Sequence, residues 1–205
     1  MQDNTKKIKL MKFMISDTKY IEVIPEPIGL DGCEFCLRAN IDYIDTEKNI
    51  HIRFGNNDVD MFYGGFWNQN FVKDLVENKK ILDARVTPDL GFEWNQFFQG
   101  IIKDTDIFNK YHFVSNDHKQ IRPYYNSWFY NDEHGNIIFE ITPFYPFHYE
   151  TKKTHPDFIT YKQFMKDYKS TLKMIIPKER FIEWNEQAKL ADPKCIDAAK
   201  KSEEK

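Results

Sequence analysis

Cysteine is scarce in this 205-residue chain, with Cys33, Cys36 and Cys195 as its only three. Three thiols cannot all pair with one another. An odd, low count fits a reducing compartment better than a disulfide-stapled secreted domain. Long apolar runs are missing too. The longest early one, Leu10 to Ile15, is interrupted by Lys12. It is too short for a signal-peptide core and far below the ~18–20 apolar residues that span a bilayer. Lys6, Lys7, Lys9 and Lys12 imitate a positive leader, yet no small-residue cleavage site follows them. The chain therefore reads as cytoplasmic, without a membrane partner. Neither sign of charge dominates: 29 Lys and Arg stand against 32 Asp and Glu, a net of −3. Dedicated nucleic-acid binders carry a basic surplus, which argues against a nucleic-acid partner.

Catalytic signatures are also lacking. There is no G-x-S-x-G, P-loop or G-x-G-x-x-G, and no two of His51, His112, His118, His134, His148 and His155 share the i, i+4 spacing of a zinc protease. Cys33-Glu34-Phe35-Cys36 has the spacing of a redox dithiol or half a zinc site. The pair opens a period-two strand, however, where its two side chains point to opposite faces. Pro88-Asp89 followed by Glu93 resembles the start of a metal-dependent nuclease motif, but Trp94 and Asn95 stand where its lysine belongs. Asp104 and Asp106 would lie about 7 Å apart on one face of a strand, and unpaired loop carboxylates are the plainer reading. No catalytic, metal-ligating or cofactor-binding residue is assigned, and no cofactor is expected.

Aromatic residues are plentiful. The chain is 41% hydrophobic, 16% aromatic and 30% charged, a composition that excludes a disordered polymer. It suits one globular domain over 1–192, with a frayed first ten residues and a mobile charged tail over 193–205. Short strands are expected at Lys12 to Ile15 and Tyr20 to Ile24. Phe35 to Tyr43 alternates apolar and polar residues, as does Ile50 to Phe54. Asp45 to Asn49 is turn chemistry. A turn centred on Thr46 and Glu47 would set Ile41 against Ile52, Tyr43 against Ile50, Asp42 against His51 and Asn40 against Arg53. One face of that hairpin is then apolar and the other charged.

Gly64-Gly65 reads as the bend before a helix at Phe66 to Asn78, since Trp67, Phe71 and Leu75 recur at helical spacing. Strand patterns are expected again at Ile81 to Val86 and Phe92 to Phe98. Tyr124 to Tyr130 and Asn136 to Ile141 predict a hairpin closed by Asn131 to Gly135. Pro143 and Pro146 end its second strand or place it at an edge. Thr160 and Gln163 form a capping box. Tyr161, Phe164, Met165, Tyr168 and Leu172 continue it as one helical stripe. Pro177 fits the start of a second helix carrying Phe181, Ile182, Trp184 and Ala188. The expected fold is α+β: a mainly antiparallel sheet, one central helix, and two C-terminal helices packed on it.

Twelve rings crowd the segment from Tyr111 to Tyr149. A strand alternates faces, so Trp128 and Tyr130 cannot point with Phe129, and some rings must lie outside the main core. Either the C-terminal helices cover them, or Trp128 and Tyr130 form part of a partner-binding surface. Stacking of single-stranded nucleic acid is a third option, weakened by the absence of basic charge.

The segments Tyr161-Lys162-Gln163-Phe164-Met165-Lys166-Asp167-Tyr168, Ile176-Pro177-Lys178-Glu179 and Trp184-Asn185-Glu186-Gln187-Ala188 are similar to the closing helices of immunity proteins of bacterial polymorphic toxin systems, including contact-dependent inhibition. The resemblance covers about 30 residues and carries over no site residue. It implies a small cytoplasmic α+β protein that binds a cognate toxin and blocks it. An acidic patch of Asp104, Asp106, Asp132 and Glu133 would suit a nuclease toxin by mimicking phosphate. The expected function is a noncatalytic protein-binding module. The alternative is a hydrolase-like enzyme whose site is assembled from dispersed His, Asp and Glu residues.

Overall fold

The computed structural model describes residues 11–27, 37–58, 69–86, 89–116, 122–147 and 155–191. Cys33, Cys36, Cys195, His118, His148, the Gly64-Gly65 bend and the C-terminal tail lie outside the described residues. Among the described residues four strands come first: β1 (Met11–Met14), β2 (Lys19–Pro27), β3 (Leu37–Asp45) and β4 (Ile50–Asp58). Helices α1 (Gln69–Val76), α2 (Leu90–Phe98) and α3 (Asp106–Tyr111) follow. Then come β5 (His112–Ser115), β6 (Tyr125–Asn131), β7 (Ile137–Pro143), the single-turn α4 (Tyr161–Phe164), β8 (Leu172–Ile176) and α5 (Lys178–Ala191). The strands make two antiparallel four-stranded sheets in chain order, β1 to β4 and β5 to β8. The α+β expectation holds, with two sheets in place of one.

The β3–β4 hairpin keeps the expected faces but not the expected register. Tyr43 pairs with Ile52 and Asp42 with Arg53. The turn is longer than two residues because the Asp45 carboxylate accepts the N–H groups of Glu47 and Lys48, each at 3.1 Å, and Asn49 takes a positive φ of 54°. A two-residue slip leaves parity intact, so every side chain stays on its predicted side. A bulge at Ile41/Asp42 then sets Ile41 opposite Gly55. Gly55 matters at the junction of the sheets, where a Cβ would come within 2.8 Å of Val114 Cγ2.

The main core lies between the sheets. Phe13, Ile21, Val23, Ile41, Tyr43 and Phe54 meet Phe113, Phe129, Phe139 and Ile141, and α1 and α5 close it with Leu75, Phe181 and Trp184. The Trp184 indole also donates to the Met14 carbonyl at 3.0 Å, tying α5 to β1. The second sheet is buried on its other face as well. There Trp128, Tyr130 and Ile138 pack with Leu90, Phe108 and Tyr111, so α2 and α3 form the outer layer. Burial on both faces explains why Ile137-Ile138-Phe139-Glu140-Ile141 does not alternate.

Three further expectations are corrected. The segment Phe92 to Phe98 is helical, not a strand. Asp89 caps it by accepting Phe92 N–H at 2.8 Å, and Leu90, Trp94 and Phe97 recur at helical spacing against the second sheet. Its aromatic residues carry β propensity, and tertiary burial overrides it. Ile81 to Val86 forms no strand, only an isolated bridge from Ile81 to Asn131. Finally, the stripe from Tyr161 to Leu172 is not one helix. The capping box exists, but the helix stops after one turn and Leu172 pairs with Ile141 as the start of β8. Tyr161, Phe164 and Tyr168 still share a neighbourhood, linked by ring contacts at Tyr145 and between Phe164 and Tyr168. The β6–β7 hairpin forms as expected, with Gly135 at φ 81°. β7 ends at Pro143 but lies between β6 and β8 rather than at an edge.

Candidate functional site

Strand alternation gives the first sheet a polar outer row of Lys12, Glu22, Asp42 and Arg53, adjacent in register across four strands. Lys12 pairs with Glu22 at 3.3 Å. Asp42, though on the outer face, is fully buried beneath its partners. Arg53 donates to it through Nε at 2.9 Å and Nη2 at 3.3 Å. The His51 Nε2 lies 2.5 Å from the second carboxylate oxygen. Sequence reasoning paired His51 with Asp42 directly across the hairpin. The contact exists, but it is diagonal, because Arg53 occupies the position opposite Asp42.

The second sheet completes the site from the β5–β6 junction. Buried Asn116 acts as a clip. Its amide donates to the Arg53 carbonyl at 2.7 Å and the Pro123 carbonyl at 3.1 Å, while its oxygen accepts the Tyr125 N–H. The result is a cleft of about 310 Å³ lined by His51, Arg53, Arg122, Pro123 and Tyr125. Arg122 is steered from outside by the exposed Asp157, and its Nη2 lies 2.7 Å from His155 Nε2. Two guanidiniums, two imidazoles and one phenol thus gather where the sheets meet. Charge is nearly balanced there, Asp42 against Arg53 and Asp157 against Arg122. The volume is at the lower end of ligand-sized pockets.

The other expected residues are dispersed. Trp128 and Tyr130 are both buried beneath α2 and α3. Each also spends its polar atom internally. The Trp128 indole donates to Thr142 Oγ1 at 2.9 Å, and the Tyr130 hydroxyl donates to Glu140 at 2.8 Å. Asp132 braces the β6–β7 turn, accepting from the His134 and Asn136 backbones and the Asn136 amide. Asp104 accepts the Asp106 N–H at the start of α3. Asp106 and Glu133 are exposed, Glu133 standing 3.6 Å from His134. Asp89 is a helix cap that also accepts from the Tyr168 hydroxyl at 2.8 Å.

Behind the second sheet lies an interior network of Glu140, Tyr130, Asp89 and Tyr168. Burial pushes the Glu140 carboxyl and both phenols upward in pKa, with Asp89 adding to the shift of each. His112 belongs to the interior too. Its ring stacks on Trp94 at 5.8 Å, and burial lowers its pKa to about 4. Among the described residues, no group of three or more His, Cys, Asp or Glu is placed to hold a metal ion, and no helix is long and apolar enough to cross a membrane. Alternation placed His51 and Arg53 together in sequence. Arg122, Pro123 and Tyr125 were missed because nothing local marks a loop that reaches β4 from about 70 residues away. Comparison of the chain with protein-family models, with curated proteins and with solved structures gave no match.

Proposed function

We propose that this chain is a noncatalytic protein-binding module, working in the cytoplasm as an immunity-like inhibitor of a cognate bacterial toxin. One observation carries the binding reading: Arg53, Arg122, His51 and Tyr125 converge on a single cleft at the junction of the two sheets. Arginine and tyrosine are the residue types that dominate contact hot spots, since each combines a large flat surface with directional donors. The buried Asp42 holds the Arg53 guanidinium in place, so that arm of the cleft is positioned before a partner arrives. The test is co-expression with the products of adjacent reading frames. Formation of a stoichiometric complex that relieves toxicity is expected, and its loss in R122A and R53K would place the contact at the cleft. If no neighbouring product binds, the toxin-inhibitor identity fails.

A second reading is favoured by the His51–Asp42 contact. A buried carboxylate behind an exposed imidazole is how a general base is oriented. In that case His51 is the proton acceptor and Asp42 the residue that positions it. Arg53 works against this role, because its two hydrogen bonds offset the charge that Asp42 could offer the imidazole. Hydrolysis of an ester or phosphoester panel that disappears in H51Q would establish the enzyme reading instead.

A further inference from the structure

Within the binding reading above, on which this rests, we propose that the cleft recognises a single carboxylate carried on an aspartate or glutamate side chain of the partner protein. Both of its arginines are already holding carboxylates. Arg53 grips Asp42 with two donors, at 2.9 and 3.3 Å, and Arg122 grips Asp157. The two grips differ in permanence. Asp42 is fully buried and shares its oxygens with His51, so it is part of the framework. Asp157 has a side chain 65% exposed, and that of Arg122 is 39% exposed. An exposed pair of this kind contributes little, because water competes for both partners. Asp157 is therefore an internal stand-in that an incoming carboxylate can displace at small cost.

The charge balance selects the ligand's valence. Among the described residues, the two guanidiniums are set against two carboxylates. Displacing Asp157 opens room for one negative charge. A dianionic phosphate would place a second charge near the buried Asp42 carboxylate. The planar fork of a guanidinium also matches a carboxylate's two oxygens. Pro123 and Tyr125 supply an apolar wall, which suits a carboxylate borne on a carbon chain with an apolar neighbour.

The test uses the full chain and three capped dipeptides: acetyl-Glu-Phe-amide, acetyl-Gln-Phe-amide and acetyl-phosphoseryl-Phe-amide. Binding is followed through the NMR signals of the His51 ring and the Arg53 and Arg122 Nε–H groups. The glutamyl probe should shift all three saturably, and the glutaminyl probe should bind at least tenfold more weakly. The phosphoseryl probe should bind no more tightly than the glutamyl one. R122Q should weaken the glutamyl probe at least fivefold without moving the urea midpoint. D157N, by removing the stand-in, should strengthen it two- to fivefold. Equal binding of the glutaminyl probe, tenfold tighter binding of the phosphoseryl probe, or weaker binding in D157N would each overturn the proposal. No partner protein is needed, so a failure here is distinct from failure to find a toxin.

Discussion

Replacing Asn116 tests the joint on which the cleft depends. The side chain is fully buried and makes three hydrogen bonds, two donated to the Arg53 and Pro123 carbonyls and one accepted from Tyr125 N–H. Each such bond is worth about 0.5–1.5 kcal/mol net, and a buried donor left without its acceptor costs more, so N116A should lose about 2–4 kcal/mol. For a chain of this size that corresponds to a fall in Tm of about 5–15 °C. Urea unfolding followed by tryptophan fluorescence should show a lower midpoint at an unchanged m value.

N116D sharpens the test. Its carboxylate can still accept from Tyr125 but sets a second oxygen against two carbonyls, so at pH 7 it should be less stable than N116A. That buried carboxyl has a folded-state pKa above its unfolded value. The native state therefore binds the extra proton, and the gap to N116A should close as pH falls. The reasoning is refuted if N116A moves stability by less than about 0.5 kcal/mol, the scale of an ordinary surface change. It is equally refuted if N116D matches N116A at pH 7.

Three further outcomes follow from the packing. In G91A the new methyl would sit 2.0 Å from Thr142 Oγ1 and 2.6 Å from the Tyr168 hydroxyl. It should cost about 2–3 kcal/mol by overpacking, whereas G100A, at φ 71° with nothing within 4 Å, should cost about 1 kcal/mol. Similar midpoints for the two would count against the close approach of α2 to β7. W128A should lose about 3–5 kcal/mol as a core truncation, while D106A and E133A should stay within about 0.5 kcal/mol of the parent. A stable W128A would put that ring back on the surface. His112, with its folded pKa lowered to about 4 by burial, is a base that the unfolded chain protonates first. Its contribution is present above pH ~6.5 and should be lost as pH falls towards 4, by an amount on the order of 3 kcal/mol. H112F keeps the ring against Trp94 and should flatten stability in that window. An unchanged pH profile would show that another group is responsible.

What could be read from sequence was whatever local chemistry decides. Period-two alternation assigned β3, β4 and both faces of their hairpin. Asn and Gly at the turns, and Thr160 with Gln163 at α4, marked ends that backbone hydrogen bonding requires. A polar outer face holding Asp42, His51 and Arg53 followed from the same alternation. The register did not, because the Asp45 side chain and the Ile41/Asp42 bulge set it.

Tertiary structure decided the rest. Leu90 to Phe98 and Leu172 to Ile176 took their conformations from the faces they had to cover or extend, against the preference their side chains suggested. Trp128 and Tyr130 became interior only because α2 and α3 form a second layer. The cleft joins β4 to a loop about 70 residues downstream through Asn116. No periodicity reports a contact of that range, since its free energy is realised only when the two sheets meet.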